Sequence, residues 1–503
     1  MELKKYQKNT LETLEQFLKE LRKAGLKYAF MGITEKPYHA EAFGEVPFVC
    51  IKIPTGGGKT LVGCHAVEKI MTGLLRHKMD RGVVLWFTPS EAIKTQTLKK
   101  FKDRKDWHRR VLDEAFDNNV KVFSNEEALS IRKEDVNDNL CIVISSLEAF
   151  RKEKSLQNKY KVYQENGALL AHFEHIDEPD YLERDSEGSV INSLANVVRL
   201  SNPLIVIDEG HKTTTKLSID FLKDLNPSFI VEYTATPRSE SNILVEIHAS
   251  ELKDEQMVKI PIVLESSAQW QNSVTRGIEK RIELEKDAKK IKGEYIRPIA
   301  LLQAQPKSKD GHTVTVEHIK DFLLERKISA DEVAIKTSEK NELEGVDLFS
   351  KSCKIRYIIT VNALAEGWDC SFAYILVSVA NLGSKIAVEQ IIGRIIRLPY
   401  AKWKANEDFN RSYVFASARD FNEAAGQIIS GLESNGYSRS DLISADKKDA
   451  TYELEAKKAV SDVLKVPMMA LDGDQLSFED LIGNDFELAK QDHKFEFQIH
   501  YDN

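Results

Sequence analysis

Short apolar runs alternate with helical patterns along most of the chain, and each run is bounded by polar or turn residues. In the first half the runs lie at 48–53, 83–87, 141–144, 204–207 and 229–233. In the second half they lie at 298–302, 332–336, 355–360, 374–379 and 413–416, with helical patterns over 316–326 and 386–397. Short β-branched strands that alternate with helices favour a parallel sheet with helices on both faces. The pattern therefore predicts an α/β protein with two such units in tandem.

Three segments depart from this alternation. Residues 151–202 are polar and charged, and we interpret them as a partly helical insertion carried on the first unit. Residues 251–295 include a solvated helical pattern and are interpreted as a linker. Residues 421–503 are acidic and mostly helical in pattern. The predicted organisation is a first unit over 1–250, a second over 296–420 and a smaller C-terminal region over 421–503.

Length and composition leave the function open but exclude some classes. A chain of 503 residues fits two to four domains. It has no apolar run of about 18 residues and no apolar signal pattern at its N-terminus, so we expect a cytoplasmic protein without membrane contact. The five cysteines are odd in number, widely spaced and set in apolar runs, which favours buried thiols over a zinc site.

The net charge of −8 is unevenly distributed. Residues 421–503 carry 17 acidic and eight basic side chains, so they alone account for this charge and the preceding part is near neutral. Because local potential governs binding, a positively lined cleft can exist in such a protein. Composition therefore does not exclude a nucleic-acid partner.

A glycine-rich turn follows the first apolar run, with the sequence Pro-Thr-Gly-Gly-Gly-Lys-Thr over residues 54–60. A strand, a Gly-rich loop and a helix in this order form a P-loop, whose backbone N–H groups point at phosphate oxygens. Lys59 would reach the β- and γ-phosphates and the Thr60 hydroxyl would hold Mg²⁺. Ile53 departs from the pattern, and a plain Gly-rich hairpin or helix start is the alternative. The predicted nucleotide-binding residues of this segment are Thr55, Gly56, Gly57, Gly58, Lys59 and Thr60.

Two adjacent acids, Asp208 and Glu209, come directly after the apolar run 204–207. The carboxyl end of a parallel strand is where such a sheet presents its ligands. Asp208 would hold Mg²⁺, Glu209 would orient and deprotonate an attacking water, and His211 would connect this site to the Thr-Ala-Thr-Pro segment at 234–237. The alternative is an ordinary strand-to-helix turn in which Asp208 is a cap.

Two arginines, Arg394 and Arg397, lie three residues apart in the helical pattern after Gly393. On a helix they share one face, and we predict that they act as arginine fingers toward the γ-phosphate. Surface arginines on an amphipathic helix are the alternative. Upstream, Asp369 could accept a hydrogen bond from a ribose or position an arginine, whereas Trp368 is more typical of a packing residue.

In their order along the chain, these motifs resemble those of superfamily 2 DEAD/DEAH-box-like helicases and translocases. The set is Pro-Thr-Gly-Gly-Gly-Lys-Thr, Asp-Glu-Gly-His, Thr-Ala-Thr, Gly-Trp-Asp and Gln-x-x-Gly-Arg-x-x-Arg, over roughly residues 1–420. The resemblance implies two RecA-like P-loop NTPase domains with ATP and Mg²⁺ bound between them. It also implies that Gln7 reads the adenine and that further nucleotide contacts come from Gly367, Asp369 and Gln390.

Within the superfamily, residues 365–369 and 394–399 look most like the restriction subunit of type III restriction enzymes. Those subunits carry a nuclease domain after the motor. This chain has no convincing Pro-Asp followed by Asp/Glu-x-Lys, because Glu332 to Lys336 lies inside the second unit. We therefore do not expect nuclease activity from this chain.

The resemblance further implies a nucleic-acid path along residues that come just after strands. Hydroxyls and backbone N–H groups at such positions suit phosphate contacts, which position a strand without reading its sequence. Each of these residues is also an ordinary turn or cap residue. The implied contacts are Thr88, Pro89, Ser90, Ser145, Ser146, Thr337 and Ser338.

The sequence thus predicts an ATP hydrolase that is a nucleic-acid helicase or translocase. We expect DNA rather than RNA as its track, in restriction or phage defence, with a nuclease or another defence subunit as a candidate partner. A nucleic-acid-stimulated ATPase switch or sensor subunit that unwinds nothing is the first alternative. An adaptor with a decayed site is the second, and the intact Lys59, Asp208, Glu209, Arg394 and Arg397 argue against it.

Overall fold

A computed structural model of the chain gives the architecture. It describes residues 2–40, 44–74, 81–151, 159–176, 179–209, 221–291, 293–307, 313–337, 339–361, 370–379, 393–417, 421–433 and 436–444. All of them belong to one compact unit, Met1–Ala445, which contains two sheets. Among the described residues, no helix combines the length and the apolar character needed to cross a membrane.

The first sheet has seven strands, and all its recorded pairings are parallel. They are β1 (Phe48–Lys52), β2 (Gly82–Thr88), β3 (Val120–Ser124), β4 (Leu140–Ser146), β5 (Leu204–Asp208), β6 (Phe229–Thr234) and β7 (Ile243–Glu246). Their order across the sheet is β3-β4-β2-β5-β6-β1-β7. Every residue of β4, β5 and β6 is buried, as expected of strands covered on both faces.

The second sheet also has seven strands in parallel pairings. They are β8 (Ile262–Ser267), β9 (Ile299–Gln303), β10 (Val333–Lys336), β11 (Tyr357–Thr360), β12 (Ala373–Ser378), β13 (Ser412–Ser417) and β14 (Leu442–Ser444). Their order is β10-β11-β9-β12-β13-β8-β14. The two parallel sheets confirm the predicted α/β class with two tandem units.

The described α-helices connect and cover these strands. They are α1 (Lys5–Ala24), α2 (Leu26–Thr34), α3 (Lys59–Leu74), α4 (Glu91–Lys102), α5 (Trp107–Ala115), α6 (Asn125–Ala128), α7 (Lys133–Asp138), α8 (Leu194–Leu200), α9 (Ala249–Asp254), α10 (Trp270–Ala288), α11 (Val316–Glu325) and α12 (Phe421–Glu433). Short 3₁₀ helices lie at Leu147–Phe150, Gly167–Phe173, Ala330–Glu332, Pro399–Ala401, Glu407–Asn410 and Arg439–Asp441.

Helix α1 brings the N-terminus to the first sheet. Its buried side chains recur at three- and four-residue spacing, so they form one face, which packs against α2 and α3. The buried face begins in the first turn with Tyr6 and Gln7. This packing fixes both residues beside the start of α3.

Two of the predicted boundaries do not match the sheets. Within the predicted linker 251–295, β8 pairs with β13 and β14, and α10 packs against β12 and β13. Within the predicted C-terminal region, α12 contacts β8 and β14 completes the sheet edge. The second unit is therefore longer at both ends than the sequence pattern indicates. The solvated side of α10 dominated its pattern, although Val274, Gly277 and Leu284 are buried.

The predicted insertion 151–202 packs into the core of the first unit. Its apolar residues Val162, Leu169 and Leu194 lie in one buried cluster with Phe87 and Phe150. His172 is also buried, and its Nε2 lies 2.9 Å from the carbonyl oxygen of Ile131. The segment is mostly polar, so its few apolar residues were not recognised as core residues from the sequence.

Candidate functional site

The predicted P-loop connects β1 to α3 and turns at two glycines with positive φ. Gly56 and Gly58 have φ of +91° and +76°, in the left-handed region that residues with a Cβ avoid. The N–H of Gly57 donates to the carbonyl of Pro54 at 3.1 Å, which closes the turn. Two glycines of the predicted motif are thus required by the backbone itself.

Ile53, the irregular first position of the motif, lies under this turn. Its side chain is fully buried, and a Cβ added to Gly57 would lie 2.4 Å from Ile53 Cγ2. The isoleucine therefore fills the space that a side chain at Gly57 would need. The departure from the usual pattern is a packing feature and removes no catalytic group.

Lys59 begins α3 and points back across the loop toward the end of β5. Its ammonium Nζ lies 2.5 Å from Glu209 Oε1 and donates to the carbonyl of Ile53 at 3.3 Å. The lysine side chain is 9% exposed and that of Glu209 is 18% exposed. An ammonium carries three N–H groups, so the same side chain can also reach a phosphate.

Asp208 and Glu209 lie where β5 ends, as the sequence predicts. Glu209 has φ of +54°, an uncommon value for glutamate, and its N–H donates to the carbonyl of Tyr233 at 2.8 Å. The left-handed turn interrupts strand alternation and sends this carboxylate to Lys59. Backbone strain of this kind is concentrated at functional sites.

Asp208 is a buried carboxylate in a crowded electrostatic environment. Burial, and next the neighbouring Glu209, raise its pKa above the usual range, while Lys59, Lys100 and Arg397 lower it. A buried anion of this kind favours a nearby cation. Asp208 and the Thr60 hydroxyl offer the oxygen donors that Mg²⁺ takes when phosphates and water supply the rest.

Those two residues therefore fit the predicted magnesium site, and when bound the ion would neutralise charge on the phosphates. Among the described residues, no cluster of three or more His, Cys, Asp or Glu side chains could hold a metal by itself.

Gln7, predicted to read adenine, contacts the P-loop backbone. Its Nε2 donates to the carbonyl of Gly57 at 3.1 Å, and its Oε1 accepts from the N–H of Lys4 at 3.0 Å. The adjacent Tyr6 donates its hydroxyl to the same Gly57 carbonyl at 2.7 Å. The structure thus places Gln7 at the nucleotide loop, and its contact with adenine stays a prediction.

Residues 393–398 of the second unit, which we call the arginine segment, lie against the P-loop. A Cβ at Gly56 would lie 3.2 Å from Val258 Cγ1 and 3.8 Å from Arg397 Cγ. Arg397 is not helical, because it forms an antiparallel bridge with Val258, whereas Arg394 is in a helical turn. The predicted shared helical face of Arg394 and Arg397 is therefore wrong. The predicted closeness of Arg397 to the nucleotide site agrees with its effect on the pKa of Asp208.

Several predicted site residues lie outside the described residues, and so does most of the predicted helix 386–397. These residues are His211, Ser338, Gly367, Asp369 and Gln390. In the Thr-Ala-Thr-Pro segment, the Thr234 hydroxyl accepts from the N–H of Thr236 at 3.2 Å. The predicted link from this segment to His211 stays a prediction.

The predicted nucleic-acid contacts of the first unit come together at the carboxyl end of β2 and β4. Thr88 pairs with Ser146, and the Thr88 hydroxyl donates to the carbonyls of Ser90 and Ser145 at 3.3 and 3.4 Å. Ser145 donates to the carbonyl of Ser146 at 3.1 Å. The hydroxyls of Thr88 and Ser145 are thus buried and donate to backbone carbonyls.

The other residues of this set differ in their surroundings. The hydroxyl of Ser146 is buried and has no hydrogen-bond partner among the described residues. Ser90 caps α4 by accepting from the N–H of Ile93 at 3.4 Å, with Pro89 just before it. Thr337, just after β10, accepts from the N–H groups of Glu339 and Lys340. Their role in binding nucleic acid stays a prediction.

One residue that contacts the P-loop could not be identified from the sequence. Tyr437, which follows α12, donates its hydroxyl to the carbonyl of Thr55 at 2.5 Å and is 5% exposed. A tyrosine between Gly436 and Ser438 matches no motif and lies 382 residues from its partner. Only the packing of the second unit brings it to the loop.

Comparison with known proteins gives one family match. Residues 1–239, just under half of the 503, match the family model described as type III restriction enzyme, res subunit. No curated protein matches the chain.

Solved structures give distant likenesses of the fold. The ATP-dependent type ISP restriction-modification enzyme LlaBIII bound to DNA has 14% identity and a TM-score of 0.47, with 91% of this chain and 32% of that chain covered. Mss116p bound to ssRNA and AMP-PNP has 13% identity and a TM-score of 0.46, with 90% of this chain and 81% of that chain covered. Dbp5 of S. cerevisiae bound to RNA and ADP BeF3 has 14% identity and a TM-score of 0.41, covering 91% and 99%. The chain thus spans about a third of the length of the restriction-modification enzyme.

The match over residues 1–239 confirms the resemblance that the motifs predict. Residues 1–239 are therefore similar to the res subunit of type III restriction enzymes, the family that the motifs also resemble.

Proposed function

We propose that this protein is a DNA translocase or helicase in which ATP and Mg²⁺ bind at the P-loop beside the arginine segment of the second unit. The observation that carries the proposal is the contact between Lys59 and Glu209, at 2.5 Å, directly beside the buried Asp208. It joins the lysine proposed to bind phosphate to the glutamate proposed to activate water. Buried charged groups that interact this closely are concentrated at functional sites.

The proposed chemistry follows from the positions of these side chains. The Lys59 ammonium turns from Glu209 to the γ-phosphate, so the Glu209 carboxylate loses its ion-pair partner and can accept a proton from the attacking water. Arg397, with Arg394 three residues before it, stabilises the charge that develops on the transferred phosphoryl group. Opening and closing between the two sheets would then couple hydrolysis to movement along a strand.

DNA is the proposed track because the matched family model describes a subunit of a restriction enzyme. We propose a role in restriction or another defence against foreign DNA, together with a partner that supplies nuclease activity. The cytoplasm is the proposed location, since such a protein acts on intracellular DNA.

The test is the ATPase rate of the purified protein with single- and double-stranded DNA and RNA. We expect stimulation by DNA, and a fall in kcat of at least about 10²-fold in Glu209→Gln, the usual contribution of a general base. Lys59→Ala should lose ATP binding as well. A matched control is Glu127→Gln, which changes another lysine–glutamate pair, Lys102 with Glu127 at 2.6 Å, away from the loop.

Displacement of streptavidin from the end of biotinylated DNA separates a motor from a switch. A translocase displaces it only while ATP is hydrolysed, whereas a switch hydrolyses ATP and displaces nothing. Stimulation by RNA alone would overturn the choice of track. Equal ATPase rates in Glu209→Gln and Glu127→Gln would overturn the assignment of the site.

A further inference from the structure

Two tyrosine hydroxyls hold the backbone of the P-loop. Tyr6, in the first turn of α1, donates to the carbonyl of Gly57 at 2.7 Å. Tyr437, after α12, donates to the carbonyl of Thr55 at 2.5 Å. Both side chains are almost fully buried, at 2% and 5% exposure. The loop is thus held from two distant parts of the chain.

The segment that carries Tyr437 belongs to the second sheet at both ends. Before it, α12 packs against β8, and the N–H of Tyr437 donates to the carbonyl of Leu432 at 2.9 Å. After it, β14 pairs with β8 in parallel. The backbone of Tyr437 therefore moves with the second sheet, while its hydroxyl is bonded to the loop of the first.

Gly436 brings this segment into direct contact with the loop. It has φ of +84°, and a Cβ there would lie 3.1 Å from Pro54 Cβ and 3.2 Å from Pro54 Cα. Only a glycine allows both that backbone conformation and so close an approach without displacement. The next residue is then in position to reach Thr55.

The peptide group explains what this contact does. In a trans peptide the C=O of one residue and the N–H of the next lie in one plane and point in opposite directions. A donor that holds the Thr55 carbonyl therefore directs the N–H of Gly56 to the other side of the loop. Tyr6 fixes the N–H of Gly58 in the same way. Backbone N–H groups that point to one side of a loop can bind an anion, and the N–H of Gly57, which lies between these two, donates to the carbonyl of Pro54 instead.

We infer that Tyr437 is a positioning residue for the P-loop. Through the hydrogen bond of Tyr437, the second sheet controls whether the loop has the backbone conformation that binds phosphate. This inference rests on the proposed ATPase function. Burial raises the pKa of the Tyr437 hydroxyl well above its usual value, so the group stays a neutral donor over the working range of pH. Movement of the second sheet away from the first would release the Thr55 carbonyl and loosen the loop.

The test compares Tyr437→Phe with Tyr163→Phe. Both changes delete a buried tyrosine hydroxyl that donates to a backbone carbonyl, since Tyr163 donates to Phe150 at 2.6 Å within the first unit. Hydrogen exchange is measured without nucleotide on peptides that cover residues 54–60. We expect roughly 2- to 10-fold faster exchange at this loop in Tyr437→Phe, the worth of one hydrogen bond, and no change there in Tyr163→Phe.

Kinetics supply the second measurement. We expect the KM for ATP to rise by roughly the same 2- to 10-fold in Tyr437→Phe, with a smaller change in kcat, because the loop binds phosphate but does not activate water. Loop exchange and KM equal to those of Tyr163→Phe would overturn the inference. If the wild-type protein hydrolyses no ATP, the proposed function fails, and loop exchange still decides whether Tyr437 positions the loop.

Discussion

Glu232 is a buried carboxylate in the middle of the first sheet. It lies on β6 between β1 and β5, and neither of its side-chain oxygens has a hydrogen-bond partner among the described residues. Burial raises its pKa from 4.5 to about 7; Arg238 lowers it and Glu209 raises it. The folded protein therefore favours the protonated form of this side chain.

This raised pKa predicts a pH-dependent stability that Glu232→Gln removes. Between pH 4.5 and 7 the unfolded chain loses the proton that the folded protein keeps, so the free energy of unfolding falls as pH rises and stays low above pH 7. Relative to the variant, the wild-type protein should lose about 2 kcal/mol between about pH 5.5 and 8.5. Urea unfolding of both proteins across this range measures the difference.

The comparison of pH profiles separates this effect from any cost of the buried amide, because that cost does not vary with pH. Glu407→Gln is the control, since the Glu407 side chain is 78% exposed and lies away from the sheet core. Parallel profiles of wild type and Glu232→Gln would show that Glu232 keeps the same pKa in both states.

The sequence identifies residues whose chemistry follows directly from a motif, and it misses those placed by tertiary packing. Lys59 and Glu209 come from the spacing of a loop and a strand end, and the structure brings them together. The left-handed backbone of Glu209 could not be predicted, because glutamate has no preference for it. Tyr437 could not be predicted, because nothing local marks a tyrosine that serves a distant loop.

At the scale of elements, fully buried strands were predicted and partly exposed ones were missed. The strands β2, β4, β5 and β6 are continuous apolar runs and were predicted to within one or two residues at each end. Strand β8 alternates between buried and half-buried positions and ends in Glu-Ser-Ser, so its pattern suggested a linker. Such a strand is recognised only through its neighbours, β13 and β14.

Helix α10 provides a test of whether residues 251–295 belong to the second unit. A Cβ at Gly277 would lie 2.4 Å from Val377 Cγ2 on β12, and a β-branched side chain in a sheet cannot easily move away. We expect Gly277→Ala to lower the free energy of unfolding by about 1–2 kcal/mol, after the gain in helix propensity is included. Chemical denaturation of the purified protein measures it.

Gly426→Ala is the matched control, because Gly426 also lies inside a helix, α12, and a Cβ there meets nothing within 4 Å. This variant should be more stable than wild type by about 0.5–1 kcal/mol, the difference in helix propensity between alanine and glycine. If Gly277→Ala were stabilised equally, α10 would not be packed on β12 and the linker interpretation would return.

At the scale of the whole molecule, contacts from both units meet around one loop. Lys4 Nζ donates to the carbonyl of Ala401 at 3.1 Å, and the Tyr437 hydroxyl donates to the carbonyl of Thr55. Beside the same loop, Val258, which precedes β8, forms an antiparallel bridge with Arg397. The bridge is extended by backbone bonds from Lys259 to Ile396 and from Leu398 to Met257. The proposed nucleotide site therefore depends on both units.

Because the proposed site includes residues of both units, we predict that one bound nucleotide slows hydrogen exchange in both. With Mg²⁺ and a non-hydrolysable ATP analogue at about 100 times its Kd, the binding-competent form gains about 2.7 kcal/mol. Hydrogen exchange should slow at the P-loop and, in the same titration, at the amides of Lys259 and Leu398, because opening that bridge would dismantle the arginine side of the site. Lys59→Ala should show neither effect at this concentration, and chelation of Mg²⁺ should weaken both. Protection confined to the loop would mean that the arginine segment takes no part in binding the nucleotide, and Arg397 would then lose its proposed role on the γ-phosphate.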